Sequence, residues 1–136
     1  MARAIWEVRI ARPGAAIADL DQQGDAIRVT ITALRVARPD TVLLLARGTG
    51  TLLAATRYTL QLAGRASSAR QIGASIREAG AVRARGPVPL KPQWQKNALA
   101  LRVSEGKPLI TWELCFELGQ IAGEIELDDL TLRDAG

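Results

Sequence analysis

The sequence has 136 residues, a length that predicts one domain spanning residues 1–136 with a single hydrophobic core. Hydrophobic residues make up 48% and charged residues 24%, which excludes a disordered chain. No apolar run approaches the roughly 18 residues of a membrane-spanning helix. There is no histidine and only one cysteine, Cys115, which excludes histidine-dependent nucleophiles, histidine zinc sites, internal disulfides and cysteine metal clusters.

The formal net charge is +4, but the arginines are dispersed and no run of five basic residues occurs. Without such a run or an RNA-binding aromatic motif, we expect no nucleic-acid partner. The many arginines have a simpler explanation, because a GC-rich genome favours arginine as the surface cation. Glu7 and Arg9 interrupt the apolar block that a signal peptide would need. The chain therefore either works inside the cell or is a module of a longer secreted protein.

Alternation of apolar and polar residues recurs along the chain and is typical of half-buried strands. The apolar members are Ile27, Val29, Ile31, then Tyr58, Leu60, Leu62, then Leu99, Leu101, Val103, then Ile110, Trp112, Leu114, Phe116, Leu118, and finally Ile125, Leu127, Leu130 and Leu132. Glycine- and proline-containing turns separate these runs, and the last one is interrupted at Asp128-Asp129. The pattern predicts an all-β antiparallel sandwich of about eight or nine strands.

Two segments are harder to interpret. Residues 69–80 fit a helix face or a strand equally well, and residues 83–92 contain three prolines, which predicts an irregular surface segment. The alternation places Trp112 and Phe116 in the core. Tyr58 is also expected in the core, and so are the two remaining tryptophans, although Trp94 is the aromatic candidate for ligand contact.

An ordered series of motifs runs through nearly the whole chain. It includes RYTLQLAGRA at 57–66, RQIGASIR at 70–77, QWQ at 93–95, CFELG at 115–119 and GEIELDDLTL at 123–132. The series resembles the jelly-roll carbohydrate-binding modules of families four, nine and twenty-two, which share the galactose-binding-domain-like sandwich. The sequence departs from them at Ala63, where those modules often carry a tryptophan.

The resemblance implies a jelly roll of two antiparallel sheets that is not an enzyme. It implies binding of plant cell-wall polysaccharide, such as xylan or β-glucan, or of an oligosaccharide. It also implies an attached or neighbouring catalytic domain, a glycoside hydrolase, in a longer extracellular protein, with no nucleic-acid or membrane partner. The small number of aromatics supports an alternative, a structural or protein-interaction sandwich that has lost sugar binding.

The floor of a sugar-binding groove should consist of residues that face away from the core. Those with planar polar ends match the spacing of vicinal hydroxyls. The candidate carbohydrate-binding residues are Gln61, Arg65, Gln71, Arg77, Trp94 and Glu117. The alternative is a solvated sheet face with ion pairs, such as one between Arg65 and Glu117, each contributing less than about 1 kcal/mol.

Carboxylates suggest two further sites. By the resemblance, Asp128 and Asp129 would help to hold a structural calcium ion with oxygens from the first strand, since calcium takes about six to eight oxygen ligands; a solvent-facing bulge is the alternative. Glu113 and Glu117 lie four apart on one strand, roughly 13 Å, too far for a glycosidase pair. A pair of Glu117 with Glu124 or Glu126 stays open.

Overall fold

The computed structural model describes residues 4–134, and they form an all-β structure with one 3₁₀ turn at Pro39–Thr41. The ten strands are β1 (Trp6–Ile10), β2 (Ala16–Gln23), β3 (Ala26–Leu34), β4 (Val42–Arg47), β5 (Arg57–Ala66), β6 (Arg70–Glu78), β7 (Ala81–Leu90), β8 (Gln95–Arg102), β9 (Glu113–Glu117) and β10 (Gly123–Asp134). No helix in this part of the chain has the length and apolar composition needed to cross a membrane.

The strands form two five-stranded sheets. Sheet A has the order β1-β4-β9-β6-β7, and sheet B has the order β2-β3-β10-β5-β8. All strand pairs are antiparallel. The predicted sandwich of two antiparallel sheets is thus confirmed, with slightly more strands than expected.

One core lies between the sheets and contains the aromatic residues that the alternation placed there. Phe116 is fully buried, and its ring centroid lies 5.8 Å from that of Trp6. The buried Trp112 donates from its indole Nε1 to the Gly50 carbonyl (3.0 Å), and the hydroxyl of buried Tyr58 accepts from a backbone N–H at 2.8 Å. These bonds satisfy the polar ends of side chains whose apolar bodies fill the core.

The ambiguous segment at 69–80 and the segment at 83–92 both contain strands. Residues 70–78 form β6, and the expectation of an irregular segment at 83–92 is wrong, because β7 covers most of it. Pro87 and Pro89 pair with Gly73 and Gln71 of β6. Since β7 is an edge strand, a proline nitrogen on its outer side needs no partner, and edge strands are where sheets tolerate proline.

The interruption predicted at Asp128-Asp129 is confirmed as a bulge in β10. The register with β5 shifts between Asp128 and Thr131, and Asp129 has a φ of 54°. A local change of register of this kind adds twist and lets one strand change the direction of its side chains.

A buried arginine fixes the connection from β9 to β10. Arg70 donates to the carbonyls of Ile121 and Ala122, both at 2.7 Å. Burial lowers the pKa of its guanidinium, because removal from water disfavours the charged form. The two carbonyls compensate part of this cost and hold the loop against the end of β6.

Close packing at the Trp112 ring makes Gly48 sensitive to substitution. A Cβ at this position would lie 2.2 Å from ring carbons of Trp112, so we expect Gly48→Ala to lower the free energy of unfolding by about 3 kcal/mol through overpacking. Gly24→Ala is the control: a Cβ there meets open space at a φ of 65° and should cost only about 1 kcal/mol. Urea denaturation of both variants tests this, and equal losses would contradict it.

Candidate functional site

The six candidate binding residues lie on opposite outer faces of the sandwich. Gln71 and Arg77 on β6 and Glu117 on β9 belong to sheet A, whereas Gln61 and Arg65 on β5 belong to sheet B. Trp94 precedes β8 and lies on the sheet B side. The expectation of one groove floored by all of these residues is therefore wrong, because the core separates the two groups.

The outward-facing residues of sheet A, called here the sheet A face, are aligned in rows across the strands. The register places Leu45, Cys115, Ser75 and Arg85 in one row, Leu43, Glu117, Gly73 and Pro87 in the next, and Arg47, Glu113 and Arg77 in a third. The first two rows are apolar at their β4 end; at the β6–β7 end the first row has Ser75 and Arg85, and the second has Gly73 and Pro87.

The centre of the sheet A face is buried although it points away from the core. Ser75 and Cys115 are 0% and 1% exposed, and Leu45 packs with Cys115 in a small apolar cluster. In contrast, the side chains of Arg9 and Arg85 on the two edge strands are 55% and 57% exposed. The sheet A face thus has a buried floor between exposed arginines on its two edge strands, and the region between these arginines is called here the trough.

Glu117 is the charged group at the middle of this trough. Its side chain is 7% exposed, and its Oε1 lies 3.0 Å from Arg85 and 3.7 Å from Arg77. A Cβ at Gly73 would lie 3.1 Å from the same oxygen, so the glycine leaves room for the carboxylate. A buried carboxylate needs such partners, and the two guanidinium groups hold it in one place.

Arg77 is held from a second side. Its Nε donates to Ser75 Oγ at 3.0 Å, and that hydroxyl donates to the Cys115 carbonyl at 3.4 Å. The side chains of Glu117, Arg77 and Ser75 therefore form one connected polar network. Each has a partner within the protein, and such preorganisation lowers the entropy lost on binding a ligand.

Gln71 and Arg85 complete the polar end of the sheet A face. Gln71 is exposed and pairs with Pro89, so it lies near the same edge as Arg85. Arg85 was not among the predicted site residues, because the three prolines of residues 83–92 indicate an irregular segment. The alternation of buried Val88 and Leu90 with exposed Pro87 and Pro89 is the signal that identifies this strand.

On sheet B, Arg65 has partners other than the expected Glu117. It bonds to Glu126 and lies 3.7 Å from Glu124. The expected ion pair between Arg65 and Glu117 is therefore wrong, because these residues lie on different sheets. Gln61, also on β5, is exposed and pairs with Ala98.

A small open pocket lies on the outer side of sheet B and is called here the Trp94 pocket. Its volume is about 180 Å³, and its lining residues are Asp21, Gln23, Ala26, Ile27, Arg28, Trp94, Glu126, Leu127 and Asp128. Trp94 is 49% exposed, so the expectation that it completes the core is wrong. Trp6, in contrast, is buried as expected.

Two carboxylate hypotheses have different outcomes. Glu117 on sheet A and Glu124 and Glu126 on sheet B lie on opposite faces, which excludes them as a glycosidase pair. Among residues 4–134, no group of three or more acidic or cysteine side chains is arranged to hold a metal ion. Asp128 and Asp129 alone do not meet the coordination that calcium requires, and structural calcium stays a prediction of the resemblance.

Cys115 is a free cysteine buried beneath the sheet A face. Burial is the main cause that raises the pKa of its thiol, against a smaller lowering by the Arg77 charge. Since the thiolate is the reactive form, we expect native Cys115 to react with a disulfide reagent at pH 8 roughly 100-fold more slowly than in the unfolded chain. Absorbance assays in buffer and in guanidinium chloride give the two rates, and equal rates would refute the burial of this thiol.

Solved structures share this architecture. A CBM4 structure matches with a TM-score of 0.73 and 20% identity over 95% of this chain and 86% of the other. The apo structure of BiXyn10A CBM1 matches with a TM-score of 0.79 and 9% identity over 98% and 92%. The N-terminal cellulose-binding domain of β-1,4-glucanase C from Cellulomonas fimi matches with a TM-score of 0.68 and 19% identity over 96% and 89%.

The other two comparisons gave no match: no model of a known protein family fits this sequence, and no curated protein matches it significantly. The similarity to solved structures therefore establishes the fold. The chain has the jelly-roll β-sandwich that these carbohydrate-binding modules share.

Proposed function

We propose that this chain is a non-catalytic carbohydrate-binding module that takes a polysaccharide chain on the sheet A face. The observation that carries the proposal is the buried carboxylate of Glu117, held between Arg77 and Arg85 at the centre of a trough. The shared fold of the carbohydrate-binding modules described above supports it.

The network of the trough has the chemistry that sugar hydroxyls require. A carboxylate accepts two hydrogen bonds and a guanidinium presents several planar N–H donors, so the pair can satisfy both oxygens of a vicinal diol. Leu43 and Leu45 lie beside this network but are buried, so the proposed binding rests on hydrogen bonds to sugar hydroxyls and not on contact with the apolar face of the ring.

The dimensions of the sheet A face favour an extended ligand. Five strands spaced about 4.8 Å apart span roughly 19 Å, which exceeds the width of one sugar ring. We therefore propose an extended, soluble β-linked glycan, such as xylan or mixed-linkage β-glucan, in place of a monosaccharide. An insoluble crystalline surface would contact only the edges of the trough.

The biological role proposed here is to anchor an attached glycoside hydrolase to its substrate in a secreted protein. The second candidate is a structural or protein-interaction domain. It is favoured by one observation: four of the five aromatic residues lie in the core and the fifth lies at the Trp94 pocket, so the sheet A face has no aromatic platform for sugar stacking.

Affinity gel electrophoresis tests the proposal directly. We expect xylan or mixed-linkage β-glucan in the gel to retard the protein, and Glu117→Gln to weaken the association about tenfold or more, because it removes a charge-assisted acceptor. The matched control is Glu124→Gln, the same change on the opposite face, which should leave the retardation unchanged.

The same gels, run with calcium and with a chelator, show whether the metal contributes. Folding of each variant is checked by thermal denaturation. A folded protein that migrates identically in every polysaccharide would reject sugar binding on the sheet A face and support the protein-interaction alternative.

A further inference from the structure

The Trp94 pocket combines the three features that a sugar subsite needs: an aromatic surface, fixed polar groups and a concave shape. The indole of Trp94 is half exposed, and the residues that line the pocket include Asp21, Glu126, Asp128 and Arg28. It lies on the face of the sandwich opposite the sheet A face, so it is a separate site.

The segment that carries Trp94 is tied to the sheet. Arg65 Nε donates to the Pro92 carbonyl at 3.1 Å, and the Ala66 N–H donates to the Lys91 carbonyl at 2.9 Å. The guanidinium of Arg65 also bonds to Glu126, which lines the pocket. Arg65 is thus a positioning residue that connects the segment before Trp94 to the pocket floor.

The charges of the pocket leave one carboxylate available. Arg28 pairs with Asp21 at 3.1 Å, and Glu126 pairs with Arg65. Asp128 accepts from the Asp129 N–H at 2.8 Å, and within residues 4–134 no cation lies within ion-pair distance of it. A carboxylate beside an exposed indole can accept hydrogen bonds from ligand hydroxyls.

We propose that the Trp94 pocket is a second carbohydrate site, which binds a single pyranose ring stacked on Trp94 with its vicinal hydroxyls on Asp128. The volume of about 180 Å³ lies below the roughly 300–1,000 Å³ of pockets for drug-sized ligands, so the pocket holds one ring at a time, and further rings of a longer glycan would lie outside it. The ligand class is that of the proposed function, but the site does not depend on binding at the sheet A face.

The indole N–H signal of Trp94 in ¹H–¹⁵N NMR reports on this pocket alone. The protein contains three tryptophans, and Trp94→Phe identifies the signal by its loss. On titration with methyl β-xyloside and methyl β-glucoside, we expect the Trp94 signal to shift and saturate. Asp128→Asn should weaken binding about tenfold through loss of the carboxylate acceptor, whereas Lys96→Ala, an exposed change next to the pocket, should not affect it.

The two sites are distinguished by measuring each site's signal in the variant that disrupts the other site. Glu117→Gln should leave the shift of the Trp94 signal intact, and Trp94→Phe should leave gel retardation through the sheet A face largely intact. A Trp94 signal that does not move with any sugar would overturn the second site, whatever the gels show. A shift that saturates equally in Asp128→Asn would also overturn it, because the proposed contact would then be irrelevant.

Discussion

The structure depends on the burial of one side of every strand between two sheets. Because successive side chains of a strand point to opposite faces, placing Leu114, Phe116 and their counterparts in the core forces the residues between them outward. Each sheet therefore has a single outer face, and the core keeps the two faces apart. The polar network around Glu117 and the Trp94 pocket are both products of this constraint, one on each sheet.

Strands with a clear alternation of apolar and polar residues in the sequence were predictable, and β4, which has none, was not. The alternation in β3, β5, β9 and β10 identifies all four, and even the bulge at Asp128 in β10. The short strand β4 was missed because Val42 to Ala46 are all buried, so no alternation marks it. Its outward residues Leu43 and Leu45 lie under long neighbouring side chains on the sheet A face, where apolar residues would normally be exposed.

The candidate site shows a second limit of what the alternation of apolar and polar residues can predict. Alternation states whether a residue faces inward or outward, but it does not state which sheet the strand joins, since that depends on pairing between distant segments. Arg65 and Glu117 were both correctly expected to face away from the core, yet they lie on opposite sheets. Arg85, the nearest partner of Glu117, was hidden by prolines that an edge strand accommodates.

The absence of an aromatic platform on the sheet A face limits the affinity it can supply. A few charge-assisted hydrogen bonds contribute about 1.5–3 kcal/mol each before the cost of ordering the ligand, and a net 4 kcal/mol corresponds to a Kd of only about 1 mM. A polymer compensates for weak sites when several are engaged together. Because the two sheets lie about 10 Å apart and face opposite ways, a glycan on the sheet A face and one in the Trp94 pocket would belong most readily to different chains. Such a module would bridge neighbouring chains of a polysaccharide, and its retention would then depend on the density of the chains more than on the affinity of either site.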